Sequence, residues 1–144
     1  MNIINSAQRY LFGSVLAVSV VAAAHGATPA PEGASVYFLT PLDGQVVNSP
    51  VTVRFGLEGL GVAPAGVDRE ATGHHHLLVN VDERPAAGQP IPADERHIHF
   101  GGGQTQTTLE LTPGEHTLQL LVGDYLHIPH EPPIMSEKIT ITVE

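Results

Sequence analysis

The sequence predicts an all-β protein, a single antiparallel immunoglobulin-like β-sandwich of seven to eight strands with long loops. Three observations carry this. Val51-Thr52-Val53-Arg54-Phe55-Gly56-Leu57 alternates apolar and polar residues, as a strand with one face on a core must. The same period of two returns in His116–Val122 and Glu137–Val143. After the first 26 residues no stretch sustains a helical period, and Pro and Gly turn signals punctuate the apolar runs.

Taken in order, Met1–Gly26 is expected to be a signal peptide with its cleavage region. A polar opening carries Arg9, Leu11–Ala23 is apolar but short for a bilayer span, and small residues follow. Cleavage near Ala24 to Gly26 would export the protein to the periplasm or medium. Residues 27–34, with Pro and Gly, are expected as a flexible leader, and 35–144 as the sandwich domain.

Val36-Tyr37-Phe38-Leu39 opens the domain and stops at Pro41, where Leu42-Asp43-Gly44-Gln45 signals a turn. Val46-Val47 is short, and Val51–Leu57 points Val51, Val53, Phe55 and Leu57 inward. Gly59–Gly73 lacks periodicity and reads as a long loop. His74–Val81 is the next strand, with His75, Leu77, Val79 and Val81 facing the core and His74, His76, Leu78 and Asn80 the other side. Asp82–Glu95 holds three prolines and is a second long connection. His97–Phe100 turns Ile98 and Phe100 away from its two histidines. Gln104–Leu111 alternates, Thr112-Pro113-Gly114-Glu115 is a turn, and His116–Val122 buries Leu118, Leu120 and Val122. Tyr125–Ser136 is a Pro-braced loop, and the last strand faces Ile139, Ile141 and Val143 inward. The long loops are expected at the ends of the sandwich.

Cysteine is absent, so neither a disulfide framework nor a thiolate metal site is available. The net charge of −9, about −10 once Arg9 leaves with the signal, and the scarcity of Lys and Arg exclude a phosphate-neutralising face and hence nucleic-acid partners. No later apolar run could span a membrane. Catalytic signatures are missing: no Gly-x-Ser-x-Gly elbow, no His-Glu-x-x-His, no phosphate-binding glycine loop.

The chemistry concentrates in histidine. Five of the nine lie in Gly73-His74-His75-His76-Leu77 and Arg96-His97-Ile98-His99-Phe100. Each segment holds a His-x-His pair, and a strand puts i and i+2 on one face. If the two strands pair, His74, His76, His97 and His99 converge as candidate ligands for Zn or Cu. The alternative is a polar face whose histidines bond to carboxylates, backbone or water. His75 reads as a satisfied core histidine and His116 as a structural bond across the Pro-Gly turn. His127 and His130, with Asp124 and Glu131 nearby as possible acceptors for their rings, are secondary metal candidates.

Tyr37–Gly44, Gly73–Leu78, Ile91–Glu95, His99-Phe100-Gly101, Gly103-Gln104-Thr105 and Pro113–Leu120 together resemble a bacterial exported family catalogued only as a domain of unknown function. The resemblance continues through Gly123-Asp124-Tyr125, His127–His130 and Ser136–Ile139. It covers nearly the whole mature chain and implies a type of domain without a chemistry. The Pro41-Leu42-Asp43-Gly44 and Pro113-Gly114 turns are also similar to those of immunoglobulin-like periplasmic copper-resistance carriers. Some of those begin with a copper-gripping histidine, the place His25 would take after cleavage at Ala24. Here His25 stands well ahead of the first strand, and the carriers' downstream ligand pattern has no evident counterpart.

The expectation is therefore an exported, non-catalytic binding domain with a His-rich site for Zn or Cu. Its rival is a metal-free module contacting an envelope protein or polymer, and a metal-dependent hydrolase is the remote third.

Overall fold

The computed structural model describes residues 26–144, so all but the last residue of the expected signal segment, and His25 with it, lie outside the described residues. Nine strands follow: β1 (Ser35–Thr40), β2 (Val46–Val47), β3 (Val51–Glu58), β4 (Gly61–Val62), β5 (Thr72–Val79), β6 (His97–His99), β7 (Gln106–Leu109), β8 (Gly114–Gly123) and β9 (Ile139–Val143). They form two sheets, one ordered β1-β3-β7 and the other β2-β9-β8-β5-β4, with β6 also paired to β5. The protein is an all-β sandwich, as the alternation in β3, β8 and β9 requires.

Between the sheets, Val36, Val53, Phe55 and Leu109 of the first meet Leu77, Val79, Leu118, Leu120, Val122, Ile139 and Ile141 of the second. Each is at most 9% exposed, which removes enough apolar surface from water to supply the main driving force for folding. Phe100 joins them with its ring 5.0 Å from that of Phe55, on the side opposite the histidines of β6.

Several features depart from the expectation. The sheets are not purely antiparallel: β2 runs parallel to β9 and β4 parallel to β5. The second of these gives the long loop before the histidines a strand of its own, because Gly59 (φ 80°) turns the chain and Gly61 and Ala63 then donate to the carbonyls of Ala71 and Gly73. Next, β5 ends at Val79, not Val81. Asn80 is left-handed (φ 53°), which breaks the alternation and moves Val81 to the other side of the sheet.

There Val81 joins Leu78, Leu121 and Ile91, with Met135 packed against them, in a second apolar cluster. The connections 80–96 and 124–136 thus lie over the outer face of the larger sheet instead of its ends, and β5 is buried on both faces from Gly73 onward. Residues 27–34 are not a loose leader. Ala30 donates to the Glu131 carbonyl (3.0 Å) and Glu131 to that of Thr28 (2.9 Å), while the Thr28 hydroxyl donates to Asp124 Oδ2 at 2.7 Å. Unpaired backbone groups beside the 124–131 loop give the segment its anchorage.

Candidate metal centre

Strand β5 supplies the first two candidate ligands. His74 and His76 lie on its outer face, 1% and 0% exposed, with their backbones paired to Gly123 and Leu121 of β8. Their Nε2 atoms are 3.1 Å apart. Strand β6 pairs antiparallel with β5 so that His99 stands directly opposite His76, with ring centroids 5.0 Å apart and the same distance to His74. The fourth ring comes from the loop after β8. His127 sits 4.7 Å from His99, 5.1 Å from His74 and 6.1 Å from His76. One ring nitrogen from each of His74, His99 and His127 can be chosen so that all lie within 4.8 Å of one another.

His127 reaches this place because Asp124 builds the turn beneath it. Asp124 Oδ1 accepts from the amides of Leu126 and Ile128 at 2.9 and 3.0 Å, and the His127 amide donates to the Asp124 carbonyl at 2.9 Å. The Ile91 amide then fastens the His127 carbonyl at 2.8 Å. The turn leaves His127 left-handed (φ 67°), at a cost of about 1 kcal/mol for a side-chain-bearing residue. Two glycines clear room for the rings. A Cβ on Gly101 would come 2.8 Å from His99 Nε2, and one on Gly123 would come 3.0 Å from His76 Nε2.

Burial lowers the pKa of His74, His76 and His99. Desolvation is the main cause holding His76 down to about 2 and His74 to about 4, with mutual repulsion among the imidazoles adding to it. The buried Asp124 carboxylate opposes the shift at His74. His99 is lowered too, by burial first and His127 second. Neutral imidazoles are the form that ligates metals.

The site lacks what a bland polar face would have, namely partners. Nδ1 of His74, Nδ1 of His76 and Nε2 of His99 are buried with no hydrogen-bonding group, each at a cost on the order of 1–3 kcal/mol if left so. The His74–His76 contact serves as a hydrogen bond when one Nε2 carries its proton. It equally matches two nitrogens on one ion, which lie about 3.3 Å apart in a tetrahedral Zn site with 2.0–2.1 Å bonds.

The remaining candidates fall elsewhere. His97 shares the face but pairs with Leu78, one step further from the cluster, and its Nδ1 binds Asp94 Oδ1 at 2.8 Å. That bond, with the Arg96 amide, lowers the Asp94 pKa. The Asp94-x-x-His97 spacing was the available signal for this local bond. His130 is 1% exposed, is apart from the other rings, and has its Cε1 3.1 Å from where a Gly73 Cβ would be. Asp124 and Glu131 accept no imidazole proton: the first is committed to amides and Thr28, and the second is exposed.

His75 faces the core as expected, its ring 4.6 Å from Phe55, yet neither nitrogen is satisfied. Desolvation lowers its pKa to about 4, with the Gly56 backbone opposing. His116 is structural. Its Nε2 donates to the Thr112 carbonyl at 2.8 Å, and its Nδ1 accepts from Asn80 Nδ2 at 2.9 Å.

Fold and site together define a class: an all-β sandwich with a buried histidine cluster that could hold a metal ion. The chain belongs to the family described as Domain of unknown function (DUF4399), whose model matches residues 53–144. That span contains all four clustered histidines and the Asp124 turn. No curated protein matches the chain, and no solved structure does.

Proposed function

We propose that this protein is an exported, non-catalytic metal-binding domain in which His74, His76, His99 and His127 hold one Zn or Cu ion. The observation that carries the reading is the convergence of four imidazoles from three separate segments, with the Nε2 atoms of His74 and His76 3.1 Å apart and Nε2 of His99 buried without a protein partner. An all-nitrogen donor set without thiolate or thioether suits Zn(II) and Cu(II). Four imidazoles complete a tetrahedral shell, which favours a holding role over hydrolysis, since catalytic zinc sites keep a position for water. Export is supported by the apolar run Leu11–Ala23 followed by small residues.

Protein purified without a nickel column and titrated with Zn(II) or Cu(II) by calorimetry should bind one equivalent. His99→Ala should weaken binding at least about tenfold, as expected for a ligand. His97→Ala should leave affinity unchanged because Asp94 already occupies that ring. A chain that takes up neither ion would instead favour the metal-free interaction module.

A further inference from the structure

The four ligands are not equally held. His74 and His76 sit mid-strand in β5, between β8 on one side and β4 and β6 on the other, and both are fully enclosed. His99 is locked opposite His76 by the β5–β6 register. His127 alone comes from a turn outside any strand and has a left-handed backbone, while its partial exposure is shared with His99. That backbone is fixed at both its amide and its carbonyl. The imidazole can therefore leave by side-chain rotation with the turn intact. Beside it, Gly123 presents no side chain: a Cβ there would stand 3.3 Å from the His127 Cα.

We propose that His127 is the exchangeable ligand of the set, and that the position it vacates accepts one neutral nitrogen donor of imidazole size from outside the chain. The inference rests on the metal reading above and deepens it. An ion on His74, His76 and His99 remains bound while its fourth position changes hands, so an outside donor reaches the ion without removing it from the chain. Three strand-borne ligands keep the ion, and the fourth governs access to it.

The test is Co(II) binding followed by visible absorption, which reports the number and kind of ligands, in wild type, His127→Gly and His74→Gln. Glycine suits a φ of 67°, so His127→Gly relieves backbone strain and is expected to fold. It should bind Co(II) roughly tenfold more weakly and take up one equivalent of added imidazole, which restores the wild-type band. His74→Gln should show no such rescue, because its position is closed. The inference is overturned if His127→Gly binds as tightly as wild type, or binds weakly and takes up no imidazole. Wild-type protein that binds no Co(II), Zn(II) or Cu(II) would remove the metal reading itself and this inference with it.

Discussion

At the residue scale, buried imidazoles decide both chemistry and cost. His75 is the clearest case, since it lies outside the cluster formed by His74, His76, His99 and His127. Its unfolded ring takes up a proton below about 6.5, whereas the folded ring stays neutral down to about 4. Across that window the unfolded state binds more protons, so acid destabilises the fold. Above it the effect vanishes. A shift of this size corresponds to roughly 3 kcal/mol fully expressed below pH 4. His75→Leu removes the titration and two unsatisfied nitrogens at similar volume. Its urea midpoint should exceed that of wild type at pH 7.5 and exceed it further at pH 5. An advantage that fails to grow on acidification would show that the ring already takes a proton in the folded state. Parity put His74, His76 and His99 on one face and His75 on the other, which is where the strands carry them. Parity put His97 on the same face but does not give the position along it, and Asp94 binds its ring locally.

Elements turn those residues into a site. Register does most of it: pairing His76 with His99 is what brings the two His-x-His segments together, and a one-residue slip would send His99 to the opposite face. Glycines do the rest. Gly101→Ala places a methyl against the His99 imidazole, a movable side chain, so the ring must rotate while the backbone stays. The variant should lose roughly tenfold in Zn(II) affinity by calorimetry while metal-free Tm falls by only a few degrees, about what a 1 kcal/mol change gives in a domain of this size. Equal losses in both would make Gly101 a folding residue instead. None of this was legible in the glycine triplet, which by itself signalled only a bulge or close approach. His127 was legible as a candidate, but its arrival depends on the Asp124 turn and on Ile91 from a distant loop. Spacing in the sequence does not encode such contacts.

For the whole molecule, the alternation in β3, β8 and β9 gave the sandwich and its core almost residue by residue. Missing from the pattern was the second apolar layer. Leu78 and Leu121 look like stray apolar residues on outward faces until Val81, Ile91 and Met135 fold over them. Burial on the same face of the sheet also lowers the pKa of His74, His76 and His99. The proposed site holds one ion per chain among the four rings, and X-ray absorption at the metal edge of the loaded, tag-free protein tests it most directly. It predicts four nitrogen scatterers at about 2.0–2.1 Å with the outer-shell pattern of imidazole rings. A shell dominated by oxygen, or one with fewer than three imidazoles, would contradict it.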